Sequence, residues 1–484
     1  MNRRRLLIPI LVGAVLCSLP LAIAETGSFE RVSVTSTGTE GNNLYAELPS
    51  ISGDGRFIAF QSASTHLHPA DDSIRPDVYR FDRVTRKLDL VSVDADGVHR
   101  DGSCGFDFGI GPSISGNGNV IAFGCFGSMG TEDSNGRPDI FVRNLSEGTT
   151  TWVSSFEGDA YESAISSDGR FVAFRQGIPG TPVLGVYRYD LALGSLTLVS
   201  VGWNAEAPNA SSETPSISAD GRFIAFESDA TNLLSTIDES SPIDNLVECP
   251  PRCDRLESVF VRDLLLGTTS LASIDANGAR AEGYGPVLSG DGTKVAFESM
   301  DPLVSRDLNQ GGDIYVRDLS SATTTLASEK VRSLVGVRDP RGCCDRPSIS
   351  SNGRFVSFTS SVLWPPPPFG YIQPNPLDPY VYVYDMDTER LVVASITPQG
   401  TRFAARWSAL SSDGRFLALA SADDVAPGDS NGRLDIYVMD RSPTLGTCAN
   451  GANETGFISR RLHNGFETPT LHDLSCEEIV GSGF

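Results

Sequence analysis

A chain of 484 residues with 38 Lys and Arg against 61 Asp and Glu carries a formal charge of −23. That balance works against polyanionic partners, so neither nucleic acid nor an anionic membrane surface is expected; solubility after export accounts for it, and cationic partners or divalent cations are compatible with it. The 48 glycines and 29 prolines mark a turn-dense chain, and no stretch sustains a helical period.

The first segment, 1–24, reads as a secretory signal peptide: Arg3, Arg4 and Arg5 form a basic start, an apolar run opens at Leu6, and Ala22-Ile-Ala24 supplies small residues for cleavage. A retained membrane anchor is the alternative, and Pro9 and Pro20 favour cleavage over it. Lipid attachment at Cys17 is disfavoured by the bulky Leu16, and the Arg triplet is a weak twin-arginine match. Losing three arginines and no acid takes the charge from −23 to about −26. The mature chain is expected in the periplasm or secreted, with no integral membrane span.

From there one phrase recurs, clearest as Pro215-Ser-Ile-Ser-Ala-Asp-Gly-Arg-Phe-Ile-Ala-Phe226. Seven copies start at Pro49, Pro112, Ser163, Pro215, Pro286, Pro347 and Ser408. Each contains Asp-Gly or Asn-Gly, from Asp54-Gly55 to Asp413-Gly414, the pairs that accept positive φ in a tight β-hairpin turn. A short apolar run follows each turn, as in Arg170-Phe-Val-Ala-Phe174; apolar residues at successive positions predict a strand covered on both faces. A third strand recurs around Val78-Tyr79, Ile140-Phe141, Val186-Tyr187, Val259-Phe260, Ile314-Tyr315, Val381-Tyr382 and Ile436-Tyr437. A fourth recurs at Leu90-Val-Ser-Val93, Leu198-Val-Ser-Val201 and their equivalents, but is missing after the last third strand. Glu30-Arg-Val-Ser-Val34 reads like the missing copy. The expectation is an all-β, seven-bladed β-propeller of four-stranded antiparallel blades over 25–440, closed by the N-terminal strand, which removes open edges. The tail, 441–484, has no assigned role.

The repeated phrase is similar to the WD40-like, or PD40, repeat of TolB-type β-propellers, over about residues 29–440. The resemblance implies a protein-binding platform, a companion to a peptidase domain or, occasionally, a lyase. About 44 residues follow the last repeat, too few for an α/β-hydrolase domain.

Eight cysteines remain after Cys17, and in an exported chain they predict disulfides. Cys104 and Cys125 fall at the same end of one sheet and are paired; Cys249 and Cys253 flank one loop and pair locally; Cys448 and Cys476 close the tail. Cys343 and Cys344 stay open between a vicinal bridge and separate partners, and no paired Cys-x-x-Cys spacing supports a metal site. Alternating strands put the second-to-third loops and the inter-repeat loops on one rim. Two long loops lie there, 233–256 and 361–379. Trp364, Phe369 and Tyr371, set among prolines, are candidate partner-binding residues; the bland reading is a tolerated insertion.

Four repeats carry spaced oxygen ligands before the third strand: Asp71/Ser73/Asp77, Asp133/Asn135/Asp139, Asp307/Asn309/Asp313 and Asp429/Asn431/Asp435. They have the start of a calcium loop without its downstream Glu, so calcium is the candidate cofactor. A structural reading, in which these side chains bind local backbone N–H groups and fix the turn, fits their recurrence better. No nucleophile elbow, zincin helix or phosphate loop occurs. His66 and His68 could face one way, while His99, His463 and His472 are scattered, and isolated exposed histidines explain them better than a metal site. The reading is therefore an exported, monomeric, non-catalytic propeller that binds a protein partner. The alternative is a lyase-like carbohydrate-active enzyme with a metal at the central channel.

Overall fold

The computed structural model describes the chain from Gly27 to Ser442, apart from short segments at 42–44, 72, 101, 106–110, 128, 130–132, 134, 155–157, 308–310 and 430 and longer ones at 236–255, 333–343 and 361–378. Its strands form seven antiparallel sheets, meanders in which consecutive strands pair, with the N-terminal strand added to the last. Blade 1 spans 46–90, blade 2 103–152, blade 3 160–198, blade 4 212–271, blade 5 284–326, blade 6 344–393 and blade 7 406–440 with 28–31. The first strands pack on one another around the ring and line a central channel. In blade 2 that strand is split into Ser103–Cys104 and Ser113–Ile114, both paired with Val120–Phe126. Among the described residues the one helix is a single turn, Glu329–Arg332, and none is long and apolar enough to cross a membrane.

The apolar runs do what a sheet stacked on both faces requires. Ile58, Ala59 and Phe60 are fully buried, as are Ile224, Ala225 and Phe226. In five of these runs the last Phe stacks on the aromatic of the third strand, as with Phe60 on Tyr79 at 5.8 Å, Phe226 on Phe260 at 6.0 Å and Phe358 on Tyr382 at 5.8 Å between centroids.

The Asp-Gly turn has a second task besides its positive φ. In blade 4 a Cβ at Gly221, whose φ is +72°, would overlap the Phe171 ring of blade 3. That ring is also flanked by two guanidiniums, Arg170 at 4.7 Å and Arg188 at 4.5 Å from its centroid, and Arg188 Nη1 donates to the Gly221 carbonyl at 2.9 Å. The same device joins Phe57 to Gly118 and Phe416 to Gly55. The Asp side chain fixes the turn itself: Ser218 Oγ and the Arg222 amide both donate to Asp220 Oδ1, at 2.8 and 3.0 Å.

Backbone hydrogen bonds then link the turns of neighbouring blades in a circle. Gly53 N donates to Gly116 O, Gly116 N to Ser167 O, Asp168 N to Ala219 O, Ala219 N to Gly290 O, Gly290 N to Ser351 O, Asn352 N to Ser412 O, and Ser412 N back to Gly53 O, at 2.8–3.2 Å. This is why the residue before each Asp-Gly or Asn-Gly is Gly, Ser or Ala: the backbones meet there.

Closure is as expected. Ser28–Arg31 pairs antiparallel with Asp435–Asp440, Ser28 opposite Asp440 and Arg31 opposite Tyr437. The fourth strands, however, lie further upstream than the Leu-Val-Ser phrase. In blade 1 the strand is Lys87–Leu90, and it ends where the phrase begins. Val91 N and Ser92 N both reach the Val78 carbonyl as the chain turns toward blade 2, so Val91 and Ser92 leave the ladder. Cys104 and Cys125 face each other in register and are joined by a disulfide.

Candidate functional site

Every first strand apart from the split one of blade 2 carries a register shift near its start: between Glu47 and Ser50, Tyr161 and Ala164, Glu213 and Ser216, Tyr284 and Val287, Asp345 and Ser348, and Arg406 and Ala409. At five of these a non-glycine residue takes the left-handed conformation: Leu48, Glu162, Thr214, Arg346 and Trp407, with φ from 45 to 60°. A side chain with a Cβ gains nothing locally from that conformation, and a bulge re-aims the residues beside it. Here it brings polar residues of several blades together at the channel end beneath the loop-rich rim.

Where blades 3 and 4 meet, Arg175, Glu162 and Glu213 answer one another's charges. Arg175 Nη1 reaches Glu213 Oε2 of the next blade at 2.6 Å, its Nε lies 3.1 Å from Glu162 Oε2, and its guanidinium lies 5.0 Å from the Tyr161 ring centroid. Glu162 also accepts from the Thr214 amide of blade 4 at 2.8 Å. Also on blade 4, Glu227 accepts from the Gly285 amide of blade 5 at 2.9 Å. Burial, with Glu162 and Glu213 nearby, pushes its carboxyl up to about 7. Glu298 receives no hydrogen bond or ion pair from the described residues; burial, then Asp345 and Glu227, push it up to about 7. Burial also raises Asp345 and, with Asp301 beside it, Glu282. The Tyr284 hydroxyl, raised by burial, stands among Glu282, Glu257, Glu227 and Asp301. On blades 6 and 7 the Trp407 ring has guanidiniums at 5.1 Å (Arg406) and 5.7 Å (Arg346). The mouth is thus rich in carboxylates, carries aromatic faces, and holds no histidine among the described residues.

None of these channel residues was singled out from the sequence. A signal existed: after five of the seven Phe-x-Ala-Phe or related runs comes Gln61, Arg175, Glu227, Glu298 or Thr359, a polar residue at one fixed position of an otherwise apolar strand, with Gly124 and Ala420 there in blades 2 and 7.

The Asp/Asn residues lie elsewhere, between the second-to-third loops and the third strands. Asp71, Asp307 and Asp429 accept the hydroxyls of Tyr79, Tyr315 and Tyr437. Asp77, Asp139, Asp313 and Asp435 accept the Ser hydroxyl of the fourth-strand phrase: Ser92 at 2.7, Ser154 at 2.5, Ser328 at 2.6 and Ser33 at 2.5 Å. Asp133 accepts from the Met129 amide at 3.2 Å, and Asn135 Nδ2 donates to Asp139 at 2.9 Å. Asn431 accepts from the Arg433 amide at 2.7 Å. Two groups bring three ligand atoms within 4.8 Å of one another among the described residues, Asp71–Asp77–His99 and Glu40–Asp429–Asp435. His66 is exposed and His68 Nδ1 accepts from the Ala70 amide at 3.2 Å, so the two do not converge on a site. Cys344 is buried. Asn309, Cys249, Cys253, Cys343, Cys448, Cys476, His463, His472, Trp364, Phe369 and Tyr371, and the segment 1–24, lie outside the described residues.

No protein-family model matches the sequence, and no curated protein matches it. Solved structures share the propeller fold. TolB from Acinetobacter baumannii is 16% identical with a TM-score of 0.37, over 65% of this chain and 58% of that one. Oligogalacturonate lyase from Vibrio parahaemolyticus is 12% identical with a TM-score of 0.49, over 86% and 97%. The β-propeller domain of the trilobed protease from Pyrococcus furiosus is 12% identical with a TM-score of 0.49, over 82% and 96%. The chain thus spans less than two thirds of that TolB, and at these identities the likeness is one of fold alone.

Proposed function

We propose that this propeller is a non-catalytic binding platform, in the periplasm or outside the cell, that takes a cationic segment of a protein partner into the mouth of its channel. The observation that carries the reading is the pair Glu227 and Glu298: carboxylates on adjacent blades, largely withdrawn from water, with no ion pair from the described residues. A Lys or Arg side chain entering the mouth would supply the missing charge, and the Tyr284 ring offers a face for its stem or its guanidinium. The Cys104–Cys125 disulfide supports an oxidising compartment.

The carboxylates also give some support to the second reading, a lyase-like enzyme with a metal in the channel. The ligand geometry favours the first. Both groups of three close ligands among the described residues lie at third strands, not on the first strands that line the channel. The test is site-specific photocrosslinking from Trp407 in the exporting cell, followed by the same experiment with Glu227→Lys/Glu298→Lys. A discrete protein adduct that the double substitution abolishes supports the platform. Cleavage of uronic-acid polysaccharide by the purified protein, lost in the same variant, would replace it with the enzyme.

A further inference from the structure

The closing blade holds a set of oxygens that its sister blade does not. In blade 7 each of two buried aspartates uses one oxygen structurally: Asp429 Oδ2 takes the Tyr437 hydroxyl and Asp435 Oδ1 the Ser33 hydroxyl. Their other oxygens, Asp429 Oδ1 and Asp435 Oδ2, are buried and accept no hydrogen bond, in side chains only 1% and 6% exposed. A carboxylate oxygen of Glu40 completes a group of three within 4.8 Å of one another. Arg31 stands among them as one positive charge against three carboxylates. Its Nη1 donates to Glu40 Oε1 at 2.9 Å and its Nη2 to the Gly428 carbonyl at 2.8 Å, and Nη1 also makes longer ion pairs, without a hydrogen bond, to Asp429 Oδ1 at 3.5 Å and Asp435 Oδ2 at 3.7 Å.

Blade 1 shows what the same framework looks like when it is satisfied. The bridges Val34–Glu40 and Val93–His99 make Glu40 and His99 equivalent. In blade 1, Asp71 takes the Tyr79 hydroxyl, Asp77 Oδ1 takes Ser92 at 2.7 Å, and the remaining Asp77 oxygen meets His99 Nε2 at 3.0 Å. Blade 7 has a third carboxylate at the position where blade 1 has that imidazole.

We propose that blade 7 binds a divalent cation, calcium by its chemistry, on Glu40, Asp429 Oδ1 and Asp435 Oδ2. Three carboxylates and one guanidinium leave two negative charges in a largely buried place, and one divalent ion brings the sum to zero. All-oxygen ligands from three separated points of the chain, with such spacings, suit calcium at about 2.4 Å better than the tight octahedron of magnesium. Glu40 belongs to the N-terminal segment and the aspartates to the last blade, so the ion would tie the two ends of the ring together.

The experiment is a calcium titration of the chelator-treated full-length protein, read by calorimetry, by unfolding midpoint and by hydrogen exchange over 28–40. Saturable heat is expected in the range of ~10⁻⁴–10⁻³ M. A midpoint rise of a few degrees and slowed exchange in 28–40 should accompany it. Glu40→Gln should abolish all three responses, and Asp77→Asn in blade 1 should leave them intact. Glu40→His, which copies blade 1, should fold without calcium and ignore it, which keeps the test decisive if Glu40→Gln folds poorly. Absence of heat and of any midpoint shift in the native sequence would overturn the proposal, as would an undiminished response in Glu40→Gln and Glu40→His.

Discussion

Glu227 and Glu298 are held where a carboxylate costs free energy. Each has its folded pKa raised from 4.5 to about 7, so the folded state keeps protons that the unfolded state has released. Their contribution to stability is therefore highest below about pH 4.5 and is lost as pH rises through about 7. Glu227→Gln keeps an oxygen for the Gly285 amide and removes the charge. It is expected to raise stability at pH 8 by about 1–3 kcal/mol and to flatten the fall between pH 5 and 8. Urea unfolding at the two pH values checks this; an unchanged slope would mean that the carboxylate is not desolvated in solution. Binding of a cationic segment should run the other way, weaker at pH 5.5 than at pH 8, because protonation removes the attraction. Also at this scale, Gly221→Ala puts a Cβ into the Phe171 ring and a side chain on a backbone with φ of +72°. The expected loss is about 2 kcal/mol or more in urea unfolding, whereas Gly278→Ala, open on all sides, should lose less.

Single strands and turns were the most legible level of the sequence. Asp-Gly or Asn-Gly followed by an apolar run is local chemistry, and each copy spells it out within about ten residues. The fourth strands were less legible, because the Leu-Val-Ser phrase is extended and apolar yet serves a crossing: Ser92 is there to join Val78 N and Asp77, not to pair along an edge. The bulges were not legible at all. Leu48, Glu162 and Trp407 are ordinary strand or helix formers, with nothing in their own side chains that favours the left-handed conformation they take. The channel charges went unnoticed with them. The pairing of Cys104 with Cys125 could be read because the meander puts both at one end of one sheet. Its loop spans 21 residues, so replacing both cysteines by Ser should cost about 3 kcal/mol, measured as a drop in the denaturation midpoint under oxidising conditions. No difference between native and substituted protein would show that the bridge does not form.

For the molecule as a whole, the contact between Ser28–Arg31 and Asp435–Asp440 decides whether the sheets form a closed figure. Deleting 27–31 would bare the backbone of Asp435–Asp440 as an edge and remove Arg31 from beside Asp429 and Asp435. Concentration-dependent association and a lower unfolding midpoint are expected, seen by light scattering and calorimetry; a monomeric, equally stable product would show that blade 7 closes without its borrowed strand. The circle of amide-to-carbonyl bonds at the Asp-Gly turns has a property that follows from its direction. All seven donors point the same way round, so their dipoles lie tangentially and cancel. The circle's backbone therefore lends no axial field to the pore, whose potential is left to charged side chains. The circle also has no seam where the polypeptide starts and stops. Topologically the termini are movable: a permutant that joins the ends near Ser28 and Asp440 and is cut open between two other sheets should fold to the same wheel, with the same near- and far-ultraviolet circular dichroism.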